Sequence, residues 1–223
     1  MNRKKSRIKL FTFFLRPLPY SITVDFIIKL EIDGGMTDTK FANPGALGLV
    51  AFGMTTLLVM FYDFTARPTE ALAWGMMVFV GGLLQLLVGM MEYRNGNTFG
   101  TVAFSAYGAF WMSFAFMNVT RAAGYAGPDA GAQAMYFFVW FLLTLTLFFG
   151  TLNTTRTLQA VFGLLAVVFL GLAIGTVLEN PDVIKVSAAI GMVLGLVAMY
   201  TGLGQAVNEA SGKELLPQFP VSK

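Results

Sequence analysis

Apolar and polar positions along this chain fall into long blocks rather than the short periodic runs of a water-soluble fold. Stretches without any Asp, Glu, Lys or Arg cover residues 41–62, 71–91, 95–120, 130–155, 157–178 and 186–208. Each reaches or exceeds the roughly 20 residues that a helix needs to cross a bilayer core of about 30 Å. In hydrocarbon the backbone groups must be paired within the segment, so each block predicts a membrane-spanning helix. The expected fold class is all-α: a polytopic membrane protein with six transmembrane helices in a bundle. The expected domains are an N-terminal extension over residues 1–40, a six-helix transmembrane domain over 41–208 and a short tail over 209–223.

Composition agrees. Hydrophobic residues make up 56% of the chain and charged ones 12%, against about 25% charged in a typical soluble domain. Neither Cys nor His occurs, which removes the commonest haem and metal ligands. No cofactor and no metal are expected. An enzyme is disfavoured too, because no nucleophile–base pair can be assembled without those residues. The last apolar block has no Lys, so a retinal Schiff base there is excluded. The net charge of +3 and pI near 9.2 do not indicate nucleic acid as a partner, since seven of the fifteen basic residues lie in the first 35 and the rest are spread over the loops.

The first 40 residues differ from the remainder. Arg3, Lys4, Lys5, Arg7 and Lys9 precede a short apolar run at 10–15, which Arg16, Pro17 and Pro19 interrupt. That run is below the 7–15 residues of a signal-peptide core, and no small-residue cleavage site follows it. Residues 20–32 mix Asp25, Lys29 and Glu31 with Ile and Phe, as a short interfacial helix or strand would. A competing reading makes Met36 the natural start and residues 1–35 a gene-prediction artefact; N-terminal sequencing of native protein separates the two. With six spans both ends lie on one side. From residue 36 onward that side carries Lys40, Arg94, Arg156, Lys213 and Lys223, and the opposite side carries Arg67, Arg121 and Lys185. The bias places both termini in the cytoplasm by the positive-inside rule.

Asn43-Pro44-Gly45-Ala46-Leu47-Gly48-Leu49 opens the first block. Pro44 suits a first helical position and Asn43 can cap it. The same cluster of helix breakers could instead expose backbone groups to a polar solute. Gly171 and Gly175, like Gly191 and Gly195, have the small-xxx-small spacing of close helix contacts, within one protomer or between subunits. No charge lies at mid-depth of any span. Polar groups there are uncharged, among them Thr55, Thr56, Gln85, Tyr107 and Thr144, and would suit a small, weakly polar or singly charged solute. Three stripes share helical faces: Phe52, Thr55, Thr56 and Val59; Phe104, Tyr107, Trp111 and Phe114; Phe162, Leu165 and Phe169. Taken singly, each is lipid-facing surface or core filling; together they are candidates for a hydrophobic constriction. Glu92 and Asn97 read either as an interfacial loop or as part of a vestibule, and Arg156 as a positive-inside anchor or an anion attractor at a pore mouth.

These motifs together resemble the acetate uptake transporter family, which includes bacterial succinate–acetate permeases and fungal ammonia/acetate exporters. The resemblance spans about residues 36–217. It rests on the segment from Asn43 to Leu49, close to the family's Asn-Pro-Ala-Pro-Leu-Gly-Leu, with Gly45-Ala46 in place of Ala-Pro. It continues through Phe52-Gly53-Met54-Thr55-Thr56, Gly89-Met90-Met91-Glu92-Tyr93, Gly96-Asn97-Thr98-Phe99-Gly100, Ser105-Ala106-Tyr107-Gly108-Ala109-Phe110-Trp111 and Phe148-Phe149-Gly150-Thr151-Leu152, with Arg156 and Gln159. The resemblance implies a homo-hexamer in the cell membrane, each protomer with its own pathway for acetate or related small carboxylates, accompanied by protons or channel-like. It implies a constriction at Phe52, Tyr107 and Leu165. It places substrate contacts near Asn43, with Thr55, Thr56 and Gln85 as further candidates and Glu92, Asn97 and Arg156 as vestibule or coupling candidates. A channel for a small neutral solute or ammonia is the alternative function, and a non-transporting receptor lacks the soluble signalling domain it would need.

Overall fold

The computed structural model describes residues 42–68 and 70–221, so the features read in residues 1–40 lie outside the described residues. Each of the six apolar blocks forms one helix long and apolar enough to cross a membrane. They are α1 (Pro44–Phe64), α2 (Ala71–Arg94), α3 (Thr98–Ala122), α4 (Ala130–Thr151), α5 (Arg156–Val177) and α6 (Pro181–Ser211). Side-chain caps start five of them. Asn43, Asn97, Asp129, Thr155 and Asn180 each accept a hydrogen bond from a backbone N–H in the first turn that follows, which satisfies donors that a helix start leaves open. Pro44 occupies the first turn of α1. The breaker-rich motif is therefore an ordinary capped start, and no backbone is unwound there.

Consecutive helices neighbour one another, and α6 closes the ring against α1. The two kinds of seam differ. Along α1 and α6 glycines bring the backbones together: a Cβ on Gly53 would lie 2.6 Å from the Gly195 carbonyl oxygen, and one on Gly202 would lie 2.5 Å from that of Ala46. Gly191 admits Met60 of α1, while Gly171 and Gly175 admit Ser187 and Ile184 of α6. Both small-xxx-small pairs thus serve packing within the protomer. The α3–α4 seam is aromatic instead. Phe110 packs at 5.1 Å on Trp140 and at 5.8 Å on Tyr136, and Phe114 at 5.9 Å on Phe137. Two hydroxyl pairs tie the same seam, Tyr107 to Thr144 and Ser113 to Tyr136.

Two local features position the interior. Between Met76 and Leu84, α2 adopts π-helical hydrogen bonding, a wider winding that often marks functional sites. Gly81 sits in this stretch, where a Cβ would lie 2.7 Å from the Trp111 indole and 2.8 Å from the Thr55 methyl. At the end of α6, Gly212 takes a left-handed conformation, φ 65°, and turns the chain back. Asn208 then holds the returning segment: its Oδ1 accepts from the backbone N–H groups of Leu215 and Leu216, and its Nδ2 donates to the Leu216 carbonyl. Beyond it, the N–H of Arg156 donates to the Phe219 carbonyl and that of Val221 to the Thr154 carbonyl, laying the tail across the α4–α5 turn.

Candidate transport pathway

A cavity of about 230 Å³ opens at the end of the bundle where α1, α3 and α5 begin. Asn43 stands at its rim. Its Oδ1 accepts from the Gly45 N–H at 3.0 Å, and its Nδ2 donates to Gln205 Oε1 of α6 at 3.0 Å. Glu92, only 3% exposed, accepts from Asn97 Nδ2 at 2.8 Å. Its carboxylate also lies against the first turns of α1 and α3, where a Cβ on Gly45 or Gly100 would come within 2.9 Å of it. Glycines at both positions leave the room that this buried side chain occupies. Deeper in, Gln85 is 1% exposed; its Nε2 donates to the Gly48 carbonyl and its Oε1 has no partner.

The floor of this cavity is made by the three predicted constriction residues. Phe52, Tyr107 and Leu165 are 4%, 3% and 4% exposed, and all three line it. Phe52 packs on Tyr107 with ring centroids 5.8 Å apart. Thr144 Oγ1 donates to the Trp140 carbonyl at 2.7 Å. Its single proton being so used, it is the Tyr107 hydroxyl that donates to Thr144, at 2.9 Å. That bond directs the hydroxyl into the α3–α4 seam. On the far side Phe52 and Leu165 also line a second, smaller cavity of about 20 Å³, room for a single water. Phe110, Trp111, Phe114 and Phe169 surround it, with Thr56 and Asp63. Thr56 Oγ1 and Trp111 Nε1 are both buried without a partner. Members of all three stripes line the two cavities: Phe52, Phe104, Tyr107, Phe162 and Leu165 the larger, and Phe52, Thr56, Trp111, Phe114, Leu165 and Phe169 the smaller.

Two of the sequence candidates stand apart from the cavities. Thr55 lines neither cavity: it is fully buried against α2, where its hydroxyl donates to the Met76 carbonyl at a long 3.5 Å. Neighbouring residues on a helix point about 100° apart; here Thr56 lines the smaller cavity while Thr55 turns toward α2. Arg156 is exposed, donates to Gln159 Oε1 at 2.8 Å, and takes no part in the cavity lining. Asn43, Gln85, Glu92 and Asn97 do come together. Gln205 and Asp63 were missed. A lone Gln among small residues and a carboxylate at a block boundary were the only signals, and neither says which way a side chain faces. Among the described residues no cluster of acidic side chains could hold a metal ion.

Six lipid-length helices packed around two internal cavities define a multi-pass membrane protein. Comparison with known proteins narrows this. The profile described as the GPR1/FUN34/yaaH family matches residues 33–223. The succinate-acetate/proton symporter SatP of Escherichia coli K12 is 39% identical over 183 residues, covering 82% of this chain and 97% of the relative. Acetate permease A of Emericella nidulans is 34% identical over 210 residues, covering 82% of this chain and 68% of the relative. Among solved structures, that of the bacterial acetate channel SatP superposes with a TM-score of 0.78 at 38% identity, covering 80% of this chain and 99% of the other. The chain belongs to the GPR1/FUN34/yaaH family.

Proposed function

We propose that this protein carries acetate, and with it other short monocarboxylates or succinate, across the cell membrane, accompanied by a proton or in a channel-like way. The single observation that carries the reading is the pair of cavities meeting at Phe52 and Leu165, which fits a small solute and interrupts a column of water. Two relatives whose names specify acetate support the substrate class. Asn43 and Gln85 offer amide groups to the acid, and the free Oε1 of Gln85 accepts the proton of an undissociated carboxyl. Phe52, Tyr107 and Leu165 set the size limit. Thr56 serves the smaller cavity, and Glu92 with Asn97 forms the vestibule at the rim of the larger one.

Loop charges support cytoplasmic termini, which puts the larger cavity on the cytoplasmic side. The protomers assemble as a homo-hexamer, each with its own pathway; sizing of detergent-solubilised protein tests this. The functional test is uptake of labelled acetate by proteoliposomes, with and without a pH gradient. Absence of uptake in both conditions refutes transport, and uptake indifferent to the gradient identifies a channel. The aromatic, uncharged walls around most of the smaller cavity favour a second reading, a channel for a neutral solute or ammonia. Swelling assays with ammonia and urea against acetate distinguish it.

A further inference from the structure

Asp63 occupies a place that neither its sequence context nor the constriction explains. It sits in the last turn of α1, at the opposite end from Asn43. It lines the smaller cavity together with Phe52, Thr56 and Leu165. It also lines the open surface depression beyond, with Tyr62, Arg67, Pro181 and Lys185, and among the described residues no other belongs to both. Asp63 is therefore the neck between the mouth and the interior on that side. Among the described residues the larger cavity has one carboxylate, Glu92, and the smaller has one, Asp63, and no basic side chain lines either. A carboxylate flanks the ring constriction on each side.

We propose that Asp63 makes the neck selective for the protonated acid, so that on the transport reading above a carboxylate anion is turned back there. Facing Asp63 from α3, α4 and α5 are Phe110, Trp111, Phe114, Phe137, Phe169 and Leu172, none of them charged. From the mouth come Arg67 and Lys185. Both are exposed, and the Arg67 guanidinium lies over the Phe61 ring, 5.5 Å from its centroid. Charges in contact with solvent are screened within about 8–10 Å. A carboxylate at a narrow, aromatic-walled neck is screened far less, because the effective dielectric there is lower. The two cations therefore gather anions at the mouth, while Asp63 repels them at the next step. The neutral acid meets no such barrier: its hydroxyl can donate to the Asp63 carboxylate, and its carbonyl oxygen can accept from the unpartnered Thr56 hydroxyl or Trp111 N–H.

The test is uptake of labelled acetate by proteoliposomes of the full-length protein, over external pH 5 to 8, at fixed total acetate and with the membrane potential clamped by potassium and valinomycin. Wild-type uptake should track the protonated fraction, falling about tenfold per pH unit well above the acid's own pKa. Asp63→Asn should raise uptake at pH 8 by about tenfold and make it respond to an imposed potential. Asp63→Glu, which restores the charge, should return the wild-type profile. An Asp63→Asn profile that superimposes on wild type overturns the inference and leaves the transport reading intact. So does loss of uptake at every pH by a monodisperse Asp63→Asn protein, which would show an obligatory step instead of a filter. No uptake by wild type at any pH overturns both.

Discussion

Phe52→Ala gives the sharpest test of the constriction. The ring is 4% exposed and forms part of the shared wall between the two cavities. It is held by Tyr107 at 5.8 Å and Trp111 at 6.3 Å between centroids. Aromatic pairs of this kind contribute about 0.5–1.5 kcal/mol each beyond simple burial. The two contacts together oppose displacement of the ring by about 1–3 kcal/mol, a factor of about five to 150 in rate if the ring must move for an acid to pass. Truncation joins the two cavities, and because one side is already open space the loss of stability should fall at or below the low end of about 3–5 kcal/mol seen for buried Phe→Ala changes. Competition of labelled acetate by acids of increasing chain length, in proteoliposomes, reads the result. The expected outcome is faster acetate flux and a preference shifted toward longer acids. Unchanged flux and unchanged preference in a folded Phe52→Ala protein would show that the narrowest point lies elsewhere.

Three further outcomes follow from the same geometry. Tyr107→Phe removes a hydrogen bond but leaves the Thr144 hydroxyl donating to the Trp140 carbonyl, so thermal unfolding in detergent should show a loss of only about 0.5–1.5 kcal/mol, with acid preference unchanged. Thr55→Val should leave acetate uptake as in wild type, because Thr55 lines neither cavity; a change in substrate affinity would contradict that placement. Gly53→Ala puts a methyl 2.6 Å from the Gly195 carbonyl oxygen, and overpacking of this kind costs about 1–3 kcal/mol, visible as a lower melting temperature and a broader size-exclusion peak.

The helices were legible because bilayer thickness fixes their length and charge marks their ends, two constraints that a single sequence displays directly. Helical spacing likewise put Phe52, Tyr107 and Leu165 on stripes, and the structure turns those stripes inward. What spacing could not supply was rotation of one helix against another. Thr55 and Thr56 looked equivalent, yet one faces the π-helical stretch of α2 and the other the smaller cavity. That stretch had no distinct signature, since Gly81-Gly82 reads equally as close packing in a regular helix. Asp63 looked like a boundary marker because an interfacial carboxylate and a neck carboxylate occupy the same place in a hydropathy pattern. For Arg156 the sequence left an anchor and an anion attractor both open; its exposed side chain donates to Gln159 on the same helix.

The contrast between the glycine seam and the aromatic seam has a mechanical consequence. Where α1 and α6 interlock backbone to backbone, sliding would drive carbonyl oxygens into the neighbouring chain, so the pair behaves as one stiff plank. Where α3 meets α4, rings bear on rings, some stacked and some edge-on, and a few hydroxyls act as pins, a joint that can yield without breaking the ladder of either helix. Tyr107, one jaw of the proposed constriction, is mounted on the compliant joint, while Phe52 is fixed to the plank.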